Sequence, residues 1–401
     1  MRQAWTYLPV YTADNSAMCS ALYELGGLLV MHDASGCNST YTTHDEPRWF
    51  DRPANVFISA LTEMDAVLGN ENRLVEDVTA AAGALHPAFI ALAGTPIPMM
   101  MGCDYDGIAR EIENRTGIPS FGVDTNGTDD YVAGIGKSLV KLAERFVLAP
   151  RRRIPRSLNL LGVTPLDFSL NGTVEGFESL AEDAGWTVVS NWAMGPRAAL
   201  ETIRRAAEAE VNWVVSAGGL PVALWLNEHF GTPFVIGAPY GRFMANRLPE
   251  QWHTAAAEGR NINLAVGCRG NFVPGEAVET AVIGEAVTAA AVRASLVKDE
   301  GYENVAVMTP LTAPDVLLGP GDLRRLEEED FRRLLPACRR LVSDPFYAHF
   351  VKTLTPPRMP ECVDLPHVAL SGRIWQNDIP VLTADRFNHW WSKRGDRAPL
   401  L

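Results

Sequence analysis

Short apolar runs alternate with longer amphipathic segments along most of the chain. Each run of about four to six apolar residues is followed by a turn signal and then by apolar positions spaced three and four apart. This alternation is typical of β–α units, in which helices connect parallel strands. In the first third it predicts strands over Leu28–Met31, Val56–Ser59, Phe89–Ala93 and Ser120–Val123, and helices over Glu71–Leu85, Gly107–Arg115 and Tyr131–Leu148.

A basic segment between two prolines, residues 149–155, interrupts this pattern and predicts a domain boundary. Beyond it we predict strands over Leu158–Val163, Trp186–Ser190, Trp213–Ala217 and Pro233–Gly237, with helices over Gly172–Ala184, Pro196–Ala209 and Pro221–Phe230. Residues 239–275 are rich in Gly, Asn and Arg, which favours irregular structure. A third set comprises the helices Glu276–Val297 and Gly321–Leu335 and the strands Asn304–Met308 and Val368–Ser371. The fold class is therefore α/β, with three consecutive domains over residues 1–150, 156–275 and 276–401 and mainly parallel sheets.

Charge and composition narrow the class of protein. The 401 residues include 35 Lys and Arg against 48 Asp and Glu, a net charge of −13, which argues against a nucleic-acid partner. No apolar run reaches the roughly 18 residues that span a bilayer, and the first residues lack the apolar core of a signal peptide. Six cysteines do not form a disulfide scaffold at this length, so we expect a reducing, cytoplasmic compartment.

Two cysteines flank the first predicted β–α unit. Cys19 precedes a short predicted helix that leads into the first strand, and Cys37 follows that strand, directly after Gly36. Ligands bind at this edge of parallel sheets, and thiolates are the ligands of iron–sulfur clusters. Two thiols are too few for a cluster, so further ligands would come from elsewhere or from a second copy of the chain. The alternative is that both cysteines are buried and structural.

The other candidate site residues each have a structural interpretation as well as a functional one. Thr62 and Glu63 lie after a strand, where they suit a ligand site or a helix start. Cys103 is a possible third ligand at the same edge, whereas Cys268, Cys338 and Cys362 read as structural. Residues 134–138 resemble half of a phosphate loop but lack its first glycine and lie in a helical pattern, so no nucleotide is expected to bind directly.

Taken in order, three motifs resemble the nitrogenase component 1 superfamily. His32–Cys37 is similar to that family's strand-end turn, which ends in Gly-Cys. Thr62–Gly69 resembles its Thr-Glu…Val-Phe-Gly-Gly segment, and Met101–Asp104 resembles its Ile-Gly-Asp-Asp segment. The resemblance implies three Rossmann-like domains. It departs from the family at residues 95–96, where Thr-Pro replaces the third cluster cysteine, and at residues 214–219, which lack a cofactor-binding cysteine.

The resemblance implies an oxidoreductase component that reduces a small molecule. Cys19 and Cys37 from two copies would hold one subunit-bridging [4Fe–4S] cluster, with Cys103 an open third ligand. His32 would tune the ligands, and Gly36, Thr62 and Glu63 would border the cluster. These seven residues are the predicted site; the resemblance identifies no catalytic residue.

The implied partners follow from the same resemblance. A separate ATP-hydrolysing iron protein would supply electrons, and the second subunit would be another copy or a paralogue. Without the cofactor cysteine, a molybdenum–iron cofactor is not expected. The same region could instead form a substrate cavity edged by Gly218, Gly219 and Tyr240. The alternatives are a scaffold or carrier for metallocofactor assembly and a small-molecule binding protein without a cluster.

Overall fold

The computed structural model describes residues 5–34, 36, 38, 45–52, 54–268, 278–354 and 359–394. Three sheets occupy residues 28–123, 154–263 and 280–364, and all their paired strands are parallel. The predicted α/β class is therefore confirmed. The predicted domain boundaries stay predictions, because apolar side chains of neighbouring sheets share continuous cores.

The first sheet has the strand order β2-β1-β3-β4. Its strands are β1 (Leu28–Met31), β2 (Asn55–Ile58), β3 (Ile90–Ala93) and β4 (Ser120–Val123). Its helices are α1 (Asp14–Leu22), α2 (Glu63–Leu68), α3 (Asn72–Leu85), α4 (Pro96–Met101), α5 (Tyr105–Thr116) and α6 (Tyr131–Phe146). The predicted strands agree to within a residue, because each is a short apolar run; β1, β3 and β4 are buried on both faces, and β2 at the sheet edge is partly exposed. Cys19 lies inside α1 rather than before a helix.

The second sheet has the order β6-β5-β7-β8-β9. Its strands are β5 (Ile154–Leu161), β6 (Thr187–Asn191), β7 (Ala209–Val214), β8 (Phe234–Ile236) and β9 (Ile262–Asn263). Its helices are α7 (Pro165–Phe168), α8 (Thr173–Asp183), α9 (Leu200–Arg204), α10 (Leu220–Phe230) and α11 (Gly241–Glu258). The helix predicted over Pro196–Ala209 is therefore too long, and the strand predicted over Trp213–Ala217 starts too late.

The prediction of irregular structure over residues 239–275 is wrong for its first half. The 18-residue helix α11 runs there with Pro249 inside it. Met244, Leu248, Trp252 and Ala255 are spaced four, four and three apart and are all buried on one face. This apolar stripe outweighs the scattered Gly, Asn and Arg on which the prediction rested.

The third sheet has the order β11-β10-β12-β13. Its strands are β10 (Thr280–Ile283), β11 (Val305–Met308), β12 (Arg340–Ser343) and β13 (Glu361–Asp364). Its helices are α12 (Ala286–Lys298), α13 (Glu328–Leu334), α14 (Pro345–Val351), α15 (Val368–Ser371) and α16 (Asp385–Arg394). The predicted helix Glu276–Val297 is wrong in its first part, which contains β10. The predicted helix Gly321–Leu335 shrinks to α13, and the predicted strand Val368–Ser371 is a helix. Short apolar runs do not distinguish a buried strand from a buried helix.

Residues 5–13 cross from the first sheet to the third. The Glu328 carboxylate accepts the backbone N–H groups of Thr6, Tyr7 and Leu8 at 2.8, 2.8 and 3.1 Å. Further along, the Thr12 N–H donates to the carbonyl of Ala369 at 2.7 Å. This segment is therefore fixed to the third sheet's helices before it enters α1.

A buried acidic cavity and a cysteine-bearing sheet edge

A cavity of about 40 Å³ lies where segments of the second and third sheets meet the N-terminal segment at Tyr11. Four of its polar residues follow strands: Asp167 after β5, Glu285 after β10, Asp344 after β12 and His367 after β13. The carboxyl ends of parallel strands are where ligands bind in α/β proteins, because the connecting loops diverge there. The topology therefore brings these distant side chains to one enclosed space.

Asp167 is the centre of a buried hydrogen-bond chain beside the cavity. Tyr131 Oη donates to Asp167 Oδ1 at 2.6 Å, and His367 Nε2 lies 3.2 Å from the same oxygen. Burial is the main cause that raises the pKa of Tyr131 well above its ordinary value, so the phenol remains a proton donor. Asp344 accepts the backbone N–H of His367 at 2.9 Å and so fixes the position of the imidazole.

Glu285 is the second acid of the cavity. It is fully buried and accepts the backbone N–H groups of Ala217, Val287 and Thr288, each at 2.9 Å. Burial and then the charge of Asp167 raise its pKa to about 7, against the lowering effect of the three donors. A carboxyl group with this pKa can give up or take a proton near neutral pH.

The cavity edge predicted from the sequence is confirmed only at Tyr240, which lines it. Gly218 and Gly219 serve close packing instead. A Cβ on Gly218 would lie 2.7 Å from Ile135 Cγ2, and one on Gly219 would lie 2.6 Å from the Leu161 carbonyl carbon. The sequence reasoning missed Asp167, Glu285, Asp344 and His367. A signal existed, since each follows a strand, but β10, β12 and β13 were not predicted.

The two candidate ligand cysteines belong to segments that touch. Cys19 is fully buried in the core around α1, and burial raises the pKa of its thiol well above the ordinary value. Cys37 lies outside the described residues. Asn15, one turn before Cys19, donates to Asn38 Oδ1 at 3.0 Å, and Asn38 directly follows Cys37. The helix of Cys19 therefore contacts Asn38, the described residue that follows Cys37 in the sequence.

Cys103 is half-buried in the link between α4 and α5. Burial and then the neighbouring Glu71 raise the pKa of its thiol to about 11. Among the described residues no group of three or more His, Cys, Asp and Glu side chains could hold a metal ion. The described part of a single chain therefore forms no complete cluster site.

The remaining predicted site residues lie along the edge of the first sheet. His32 is buried, its Nδ1 is 2.8 Å from Ser59 Oγ, and burial lowers its pKa. Gly36 and Glu63 are exposed. Thr62 caps α2 by accepting the N–H of Asp65 at 3.1 Å. This is the helix start that the sequence offered as the structural interpretation of Thr62.

Parallel sheets, short connecting helices and a polar cavity at the strand ends define an α/β protein with a candidate site at the carboxyl ends of its strands. Residues 21–255 match the family model described as nitrogenase component 1 type oxidoreductase, and the chain belongs to this family. The resemblance drawn from the motifs is thereby confirmed. No described helix is long and apolar enough to cross a membrane.

Curated relatives in this family match part of the chain. The nitrogenase iron-molybdenum cofactor biosynthesis protein NifE of Methanosarcina barkeri is 26% identical over 46% of this chain and 42% of its own length. NifE of Klebsiella pneumoniae is 27% identical with the same coverage. The nitrogenase molybdenum-iron protein beta chain of Frankia alni is 28% identical over 53% of this chain and 48% of its own. The chain thus spans less than half the length of these relatives.

A solved structure described as nitrogenase Cp1 at pH 6.5 shares the fold. It superposes with a TM-score of 0.69 at 16% identity and covers 98% of this chain and 94% of that one. The likeness supports the three-domain nitrogenase component 1 fold along nearly the whole chain.

Proposed function

We propose that this chain is the substrate-reducing component of a nitrogenase-like oxidoreductase. The observation that carries the proposal is the buried Tyr131–Asp167–His367 chain on the same cavity as Glu285. Reduction of a bound molecule consumes protons together with electrons, so acids must lie beside the substrate. A cavity that encloses several such groups suits this chemistry.

Each cavity residue has a distinct task in this proposal. Glu285, whose pKa is near neutrality, gives a proton to the substrate and takes one back afterwards. His367 is a second donor that Asp167 orients, and Tyr131 holds Asp167 in place. Asp344 fixes the backbone of His367.

The electron supply in this proposal lies at the edge of the first sheet. Cys19 and Cys37 from two copies of the chain, or from the chain and a paralogue, would hold a subunit-bridging [4Fe–4S] cluster, which would supply single electrons. The contact between Asn15 and Asn38 supports this ligand pair. An ATP-hydrolysing iron protein delivers the electrons, and this chain binds no nucleotide itself. His32, Gly36, Thr62 and Glu63 border the cluster, and Cys103 is an additional ligand candidate.

A scaffold or carrier for metallocofactor assembly is the second candidate. It is favoured by the similarity to the NifE proteins of two organisms, which are named as cofactor biosynthesis proteins. The described lining of the cavity offers carboxylates, phenols and one imidazole but no thiolate, and metal–sulfur cofactors prefer soft ligands. The lining therefore favours proton-coupled reduction.

Anaerobic purification with iron and sulfide analysis tests the cluster. We expect the Cys37→Ala variant to lose iron and Cys268→Ala, a buried cysteine away from the predicted site, to retain it. Equal iron in both variants would contradict the ligand assignment. Molecular mass in solution distinguishes a second copy from a paralogue.

Turnover with an iron protein tests the reduction. We expect Glu285→Gln to lose substrate reduction while it keeps its iron, because only the proton donor is removed. An Asp183→Asn variant, changed at an exposed residue of α8, is the matched control and should react as the parent does. A protein that never turns over but transfers a metal cluster to an acceptor would instead be a scaffold.

A further inference from the structure

The cavity between the second and third sheets is strongly acidic. Asp167, Glu285 and Asp344 line it, and their side chains are almost without solvent contact. His367 is the single basic group among the described lining residues, which include no Lys or Arg. An anion that entered would face carboxylates without a compensating charge, so the lining excludes anionic ligands.

Two of the three carboxylates already have full sets of donors. Glu285 accepts three backbone N–H groups, and Asp344 accepts those of Phe346 and His367 at 3.0 and 2.9 Å. Asp167 is different, because Tyr131 and His367 both approach Oδ1 while Oδ2 is buried without a hydrogen-bond partner. A buried carboxylate oxygen without a donor costs free energy, and a ligand N–H would satisfy it.

Aromatic rings complete the lining. Tyr11, Phe168 and Tyr240 border the same space as the carboxylates. The negative faces of such rings attract cations that have left water. The carboxylates and the aromatic rings therefore both favour a positively charged ligand.

Size limits the ligand further. The cavity of about 40 Å³ is small, because one water molecule needs about 10–15 Å³ of such space. This volume has room for about three or four non-hydrogen atoms.

We propose that the cavity binds a small nitrogenous cation of the amidinium type, whose carbon–nitrogen double bond can take up electrons and protons, with an N–H group donating to Asp167 Oδ2. This inference rests on the proposed function, since it gives the class of substrate for the same cavity. The cation offsets part of the negative charge of the carboxylates, and its N–H satisfies the open oxygen. Tyr131 and His367 hold the Asp167 carboxylate in the orientation that leaves Oδ2 free.

Three planar probes of equal size and different charge test the proposal. Guanidinium, urea and nitrate each have four non-hydrogen atoms, and their binding to the purified protein is measured by calorimetry at constant ionic strength. We expect guanidinium to bind once per chain, at least about tenfold more tightly than urea, because it forms hydrogen bonds to charged groups. Nitrate should not bind. Equal binding of the three probes, or preference for nitrate, would overturn the proposal without any variant.

Variants then locate the site. Asp167→Asn should weaken guanidinium binding about tenfold or more, and Asp183→Asn at the exposed end of α8 should leave it unchanged. Unchanged binding in a folded Asp167→Asn protein would refute the assignment to Oδ2. The measurement needs no electron donor, so its failure is distinct from a failure of the proposed reduction. Guanidinium binding without any turnover would support the cation site and contradict the proposed reductase function.

Discussion

The hydrogen bond from Tyr131 to Asp167 offers the most direct test of the buried network. Tyr131→Phe removes one hydroxyl that is fully buried and lies 2.6 Å from Asp167 Oδ1, and it leaves the ring's packing intact. Hydrogen bonds to charged groups contribute about 1.5–3 kcal/mol. We expect a loss near the upper end, because Asp167 Oδ2 already lacks a partner and His367 alone would remain on Oδ1.

The measurement is the free energy of unfolding from urea titrations at pH 7, with Tyr240→Phe as the matched control. Tyr240 lines the same cavity, but its hydroxyl makes no hydrogen bond to any described residue, so its loss should cost less than about 0.5 kcal/mol. The reasoning is refuted if the two variants lose equal amounts. An Asp167→Asn change in both backgrounds completes a cycle, in which we expect a coupling of about 1–2 kcal/mol.

Three further predictions concern pH, packing and charge. The pKa of Glu285 is raised from 4.5 to about 7, so the native state holds a proton on this group in a range where the unfolded state has lost it. The free energy of unfolding therefore falls as pH rises through this range. Glu285→Gln should flatten that fall in urea titrations between pH 5 and 8. Gly134→Ala would overlap the backbone of α1 and should destabilise the fold by about 1–3 kcal/mol, whereas Gly83→Ala, with open space around it in α3, should be neutral or stabilising by less than about 1 kcal/mol. Arg293→Met leaves Asp322 buried without the partner that lies 2.5 Å away and should cost about 3–5 kcal/mol in thermal or urea unfolding, most of which a second change, Asp322→Leu, should restore.

The sequence predicts the first sheet well because its signals are local. The runs at Leu28–Met31 and Ser120–Val123 are short and apolar, and polar or turn residues bound them. In the third sheet, β10 is separated from the alanine-rich helix α12 by only Gly284 and Glu285, so strand and helix merge into one apolar stretch. Only the pairing of β10 with its neighbours separates the two, and pairing is a property of the folded chain.

The candidate site is likewise predictable only in part, because most of its contacts form only in the folded chain. Tyr240 could be predicted because the family resemblance placed a cavity near the second sheet, and the structure lines the cavity with it. Asp167 and His367 are 200 residues apart and meet only after two sheets have formed. In the sequence Glu285 lies inside the helix predicted over Glu276–Val297, and its pKa depends on burial and on Asp167. The chemistry of this cavity therefore comes from tertiary structure, beyond the reach of spacing along the chain.

The attachment of residues 5–13 to the third sheet has a consequence for how the protein is made. Thr6, Tyr7 and Leu8 are synthesised more than 300 residues before Glu328, the carboxylate that holds them. During translation the first sheet can form before Glu328, which holds this segment, has been synthesised. Tyr11, on the same segment, is one wall of the cavity. The cavity thus cannot be complete before translation has passed Glu328 and the later wall residues Asp344 and His367, and any ligand that must be loaded into the nascent protein has that interval in which to enter.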